Sequence, residues 1–132
     1  MKIYLPMSAD LLHVGHLRAI RQCAKKGKVI IGLLTDELIK SYKGEPIIPY
    51  KERKELLEAI KEVYQVVKQD SLSPNLKGMN YMASGDGFED LELEAMVKYK
   101  CKPLKIKYFD KQSTTKIKNK VVENYANIKI VV

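Results

Sequence analysis

Two histidines, His13 and His16, are the only imidazoles in the chain, and they stand three residues apart in "HVGH". An imidazole can ligate a metal, satisfy a helix end, or donate a hydrogen bond to an anion. A zinc site needs three or four ligands, and here no third histidine exists and no Cys or carboxylate stands at a familiar ligand spacing. A structural pair would cap a helix start or bury against a backbone partner. An anion-binding pair would exploit Gly15, which lets the backbone approach a ligand, together with the free N–H groups and positive dipole end of a helix N-terminus. The residues alone leave all these readings open. In the anion reading, the two imidazoles add donors aimed at phosphate oxygens.

A second stretch, "QSTTKIKNKV" (112–121), sets Ser113, Thr114 and Thr115 directly before a helical pattern. One hydroxyl suffices for an N-cap, and three in a row with Lys116 following suggest another phosphate cradle. The two stretches together would clamp a polyphosphate from two sides.

These side chains need elements to hold them. Short apolar, β-rich runs recur at 2–6, 28–34, 63–67, 80–84, 104–109 and 128–132. Between them, Leu17, Ile20 and Ala24 recur at helical spacing, with Gly27 as a C-cap. Leu56, Leu57, Ile60 and Val63 mark a second helix, Leu91, Ala95 and Met96 a third, and Ile117, Val121 and Tyr125 a fourth. Strands alternating with helices predict one α/β domain over 1–132, a Rossmann-like, mostly parallel sheet with helices on both faces. Ligands in such folds bind at the carboxyl ends of the strands. "MSADLLHVGH" follows the first strand and opens the first helix, so it falls at that edge.

Composition limits the partners. The 132 residues are 45% hydrophobic and 30% charged, an ordinary globular balance. No apolar run is long enough for a membrane span, and the short apolar start does not make a signal peptide, so the cytoplasm is the expected location. Cys23 and Cys101 form no CxxC pattern and are expected to be free thiols. Lys plus Arg exceed Asp plus Glu by 24 to 16, a net charge of +8, with nine lysines and only Asp110 as an acid between 98 and 120. Such a surface attracts phosphates, but aromatic RNA-stacking runs and an arginine-loaded helix are both missing, which argues against nucleic acid as the partner.

The motifs, taken in order, resemble those of the cytidylyltransferase family in the HxGH nucleotidyltransferase superfamily, the class of the glycerol-3-phosphate and choline-phosphate cytidylyltransferases. "DLLHVGHLRAIRQCAKKG" (10–27) resembles its signature helix, "GLLTDE" (32–37) its second strand and following turn, and "SYKG" (41–44) its phosphate-binding lysine loop. "PYKERKELLEAIKEV" (49–63) is similar to its Tyr-x-x-Arg helix, "ASGDGF" (83–88) to its Gly-Asp-Asp-Trp region, and "STTKI" (113–117) to its Ser-Thr-Thr signature. The first of these, with the segment through "KGEP", also looks like phosphonate cytidylyltransferases. The chain departs from the pattern in three places. Met7-Ser8-Ala9 replace Gly-Thr-Phe, Gly87-Phe88 replace Asp-Trp, and Tyr108 stands where an arginine is common.

The resemblance implies transfer of CMP from CTP to a small phospho- or phosphono-compound, with release of pyrophosphate and Mg²⁺ carried on the triphosphate. It casts His13, His16 and Lys43 as catalytic. Met7, Ser8, Ala9, Asp10, Gly15, Gly85, Asp86, Ser113, Thr114 and Thr115 would bind the nucleotide, and Asp36 and Arg53 the acceptor. No protein-held metal is expected, and relatives of this kind are commonly homodimers. Two other classes stay open. Adenylyl transfer from ATP to a sugar phosphate uses the same HxGH and Ser-Thr-Thr motifs, and Tyr108 with the altered 7–9 segment would suit a non-catalytic nucleotide-binding module.

Overall fold

The computed structural model describes residues 1–126. Strand β1 (Lys2–Met7) leads into α1 (Val14–Ala24), then β2 (Lys28–Leu34), α2 (Asp36–Tyr42), α3 (Tyr50–Glu58) and β3 (Val63–Gln69). The chain then crosses back to β4 (Tyr81–Ser84), α4 (Asp90–Tyr99), β5 (Lys102–Lys105) and α5 (Thr114–Tyr125). The sheet runs β3-β2-β1-β4-β5, and every pairing is parallel. Parallel strands are covered on both faces, so β2 reads as a continuous apolar run, buried from Val29 to Leu34. On one face Ile3, Ile31 and Leu33 pack against Ile20 and Cys23 of α1 and Leu57 of α3. On the other, Tyr4, Ile30 and Met82 pack against Ala95 and Met96 of α4. The expected Rossmann-like sheet with helices on both faces is the fold observed.

The order fixes where a ligand can sit. Successive strands are laid down from β1 toward β3 on one side, and then from β4 to β5 on the other. The reversal opens a crevice beyond the carboxyl ends of β1 and β4.

Several elements differ from the sequence reading, each for a local reason. Helix α2 overlaps the turn (within 32–37) and the lysine loop (41–44) that the resemblance implies. It has seven residues, buries only Leu38 and Ile39, and starts from a Thr35 cap that accepts the Leu38 N–H at 3.2 Å. Two buried positions are too few to show a helical period. Helix α3 ends at Glu58, so Val63 belongs to β3 and not to the helix. Gly27 does not cap α1, whose C-cap is Lys25; a Cβ on Gly27 would lie 2.4 Å from the Met1 carbonyl oxygen. Strand β5 covers 102–105, and residues 106–109 leave the sheet to line the crevice. Helix α5 has the predicted periodicity, but none of its residues is buried, and Val121 and Tyr125 are 54% and 59% exposed. The strand expected at 128–132 lies outside the described residues. Cys23 and Cys101 are free and buried, in separate packing clusters. Among the described residues no helix is long and apolar enough to cross a membrane.

Candidate active site

The crevice is an open cleft of about 1030 Å³. At one side stands the start of α1, where the two histidines form a reciprocal cap. His13 is the N-cap, and its Nδ1 accepts the Gly15 N–H at 3.0 Å. His16, at the third helical position, accepts the His13 N–H on its own Nδ1 at 3.1 Å. A ring nitrogen that accepts carries no proton, so each neutral ring holds its proton on Nε2 and can donate it outward. The glycine between them is needed for contact. A Cβ on Gly15 would lie 2.7 Å from His13 Cε1, and an alanine would push the ring off its cap. The structural and anion-donor readings of "HVGH" are therefore compatible: capping uses Nδ1 and leaves Nε2–H free for a ligand.

The electrostatics keep both rings neutral. Burial lowers the pKa of His13. His16 is lowered from 6.5 to about 4, by burial first and then by the His13 ring, whose centroid is 4.0 Å away, and the Lys43 ammonium. Between those two values the unfolded His16 binds a proton that the folded one refuses. Stability therefore falls as pH drops below 6.5 and stops falling below about 4. The melting temperature of the wild-type chain is expected to decline over that window more steeply than that of His16→Ala; parallel curves would contradict a neutral His16.

Beside the start of α1 lies the start of α5: a Cβ on Gly15 would lie 3.5 Å from the Gln112 carbonyl oxygen. Ser113 caps it, accepting the Lys116 N–H at 3.0 Å, and still has its own O–H to donate. The Thr114 hydroxyl, expected to hold phosphate, instead donates to the Asp10 carbonyl at 2.7 Å, leaving its backbone N–H for an anion. Thr115 also lines the cleft. Met7 and Ser8, at the end of β1, line it, as does Lys43, exposed just after α2. Gly85 and Asp86 form the far wall. A Cβ on Gly85 would approach Tyr108 Cα to 3.2 Å, so this glycine lets the 84–88 loop close on Tyr108. The rim beyond is acidic, with Asp86, Glu89, Asp90 and Glu92. Burial raises the pKa of Glu92, the Glu89 N–H opposes that shift, and the carboxylates of Glu89 and Asp86 add to it.

Four expected site residues lie off the cleft wall. Ala9 is buried at φ 50°. The buried carboxylate of Asp10 accepts the Ile47 and Ile48 N–H groups at 2.9 Å each, tying the segment after Lys43 to the histidine loop. Arg53, expected at the acceptor, is 1% exposed. Its guanidinium donates to the carbonyls of Ile48 (2.9 Å), Ser8 (2.6 Å) and Leu34 (2.9 Å) and to Asp36 Oδ1 (2.6 Å). Asp36 in turn accepts the Tyr50 N–H at 3.0 Å. Neither residue lines the cleft. Arg53 and Asp36 bind the chain's own backbone and hold the β1 and β2 ends together.

The cleft also contains residues to which the sequence analysis gave no role. Tyr42 and Gln69 line it, and Gln69 is buried because the Tyr4 hydroxyl donates to its Oε1 at 2.6 Å. A polar residue closing a strand gave no such signal. Among the described residues, no group of three or more His, Cys, Asp or Glu is disposed to hold a metal ion.

A crevice at a strand reversal, lined by two helix N-termini, is where an α/β sheet of this kind can receive an anionic ligand. The chain belongs to the cytidylyltransferase-like family, whose model matches residues 5–132. It is 34% identical over 68 residues to an ethanolamine-phosphate cytidylyltransferase of Arabidopsis thaliana, covering 51% of this chain and 16% of that protein. It is 29% identical over 129 residues to the bifunctional protein HldE of Citrifermentans bemidjiense, covering 88% of this chain and 26% of that one. The chain thus spans only 16% and 26% of the length of these two relatives. A crystal structure of a lipopolysaccharide core biosynthesis protein from Thermoplasma volcanium shares the fold, with a TM-score of 0.69 at 19% identity over 83% of this chain and 98% of that one.

Proposed function

We propose that the chain transfers CMP from MgCTP to a small phospho- or phosphono-compound and releases pyrophosphate. The observation that carries this reading is that the neutral His13–His16 pair and the Ser113 cap lie side by side on one cleft that Lys43 also lines. Family membership and the cytidylyltransferase among the relatives support the choice of base and acceptor class.

The acceptor is an oxyanion near neutral pH, so no general base is needed. Its oxygen attacks the α-phosphorus in line, forming a new P–O bond. The bond to the bridging oxygen breaks, and pyrophosphate leaves with the electron pair. Negative charge grows on the α-phosphate and bridging oxygens, where the Nε2–H groups of His13 and His16 donate. Lys43 neutralises phosphate charge, and the N-terminus of α5 receives the β- and γ-phosphates. Mg²⁺ arrives on the triphosphate as part of the substrate.

Thermal shift and pyrophosphate release test this together. MgCTP is expected to raise the melting temperature, by about 2.7 kcal/mol of added stability at one hundred times Kd, because it binds only the folded state. MgATP should raise it less. A larger shift with ATP, or turnover with ATP alone, overturns the cytidylyl assignment, and binding without turnover on a panel of phospho- and phosphono-acceptors points to a non-catalytic module. Lys43→Ala is expected to lose roughly 2–4 kcal/mol of transition-state stabilisation in kcat/KM at unchanged melting temperature. Wild-type kinetics in that variant would reduce Lys43 to a solvated surface residue.

A further inference from the structure

The geometry points to Gln22 as a positioning residue that sets the separation of the two phosphate-cradling helix starts; this rests on the nucleotidyl-transfer reading. Strand β5 is an edge of the sheet, and past its end Ile106 still donates its N–H to the Ser84 carbonyl at 3.0 Å. The next residue, Lys107, has no strand beside it among the described residues. Gln22 of α1 takes that place, accepting the Lys107 N–H on Oε1 at 2.8 Å and donating from Nε2 to the Lys107 carbonyl at 3.0 Å. A carboxamide offers one acceptor and one donor in a plane, as a peptide group does, so it pairs with an extended residue at two points. One turn earlier on the same helix face, the Arg18 guanidinium lies 4.4 Å from the centroid of the Phe109 ring.

Both contacts fall in the 106–112 segment, which forms one wall of the cleft and delivers Ser113 to its cap. Helix α1 starts at His13 and reaches Gln22 nine residues on, about 13 Å along its axis. The same rigid helix therefore carries the histidine donors at one end and grips the α5 approach at the other. Without the grip, that approach is tied to the first loop through the Thr114–Asp10 bond. Gln22 touches no substrate; it acts through Lys107 and the loop that follows.

Steady-state kinetics of Gln22→Ala and Gln22→Met, with amide hydrogen exchange on the nucleotide-free protein, test this. Methionine keeps the length and apolar body of the side chain and removes both hydrogen bonds. Both variants are expected to raise KM for MgCTP about five- to tenfold, with kcat changed less than about twofold and the acceptor KM unmoved. Exchange should quicken across 106–113 and stay unchanged in β1 and β2. Wild-type KM for MgCTP in Gln22→Met, or a loss of melting temperature with no change in KM, overturns the inference by reducing Gln22 to packing. Unchanged exchange at 106–113 overturns it as well. A wild-type chain without MgCTP turnover removes the parent reading and this inference with it, whereas an active wild type with unaltered variants removes this inference alone.

Discussion

His16→Ala is expected to lower kcat by roughly 10²–10³-fold with a smaller change in KM, because a donor to a developing oxyanion acts mainly in the transition state. The double role of the pair complicates a plain alanine scan. His16 Nδ1 accepts the His13 N–H, so its removal also weakens the start of α1, by about 1 kcal/mol for a lost cap. His13→Asn separates the two roles. Asparagine is among the preferred N-cap residues, so it can accept the Gly15 N–H while lacking the outward Nε2–H. It should keep the wild-type melting temperature and still lose turnover by a similar factor. If both rings donate to the same phosphate, the double substitution should lose less than the product of the single ones. Wild-type kcat per folded molecule in both single variants would leave the histidines as a cap and nothing more. Because both rings are held neutral, kcat should not rise as pH falls through their ordinary range; an activating protonation near pH 6.5 would contradict the tautomers described above.

The parts legible in the sequence are those with a period or a motif behind them. β2 is buried on both faces, and its uninterrupted "KVIIGLL" marks a parallel, central strand. The Ser113 cap and the histidine start of α1 announced themselves as helix-start chemistry. What escaped depends on partners distant in sequence. The period of Ile117, Val121 and Tyr125 correctly gave a helix, but periodicity cannot say whether a face meets a core, and this one does not. Gln22 and Lys107 are 85 residues apart, and nothing about either residue type forecasts a two-point clasp. The same limit applies to Arg53. An arginine on an amphipathic helix in a phosphate-handling family suggests an anion from outside, yet the turn at Ile48 and the ends of β1 and β2 converge on its guanidinium first.

That placement predicts the largest loss of stability from a single substitution. Arg53→Ala removes a guanidinium from an ion pair at 2.6 Å with Asp36 and leaves the carbonyls of Ser8, Leu34 and Ile48 without that donor. Breaking a buried pair from one side costs about 3–5 kcal/mol. The Asp36 side chain is 32% exposed and can be rehydrated, which sets the expectation near the lower end of that range. At about 3 kcal/mol the melting temperature of a chain this size falls by roughly 10 °C. Arg53→Lys should recover little, because one ammonium cannot reach several acceptors in the fork geometry of a guanidinium. Activity follows indirectly. Ser8 lines the cleft and its carbonyl is held by Arg53, so the surviving folded fraction should show raised KM values for both substrates and not for the acceptor alone. Denaturation of Arg53→Ala and Arg53→Lys, read beside their kinetics, separates the two roles. A wild-type melting temperature with only the acceptor KM raised would restore Arg53 to the acceptor site; a folding defect shared by both variants fixes it as the tie between the strand ends and the histidine loop.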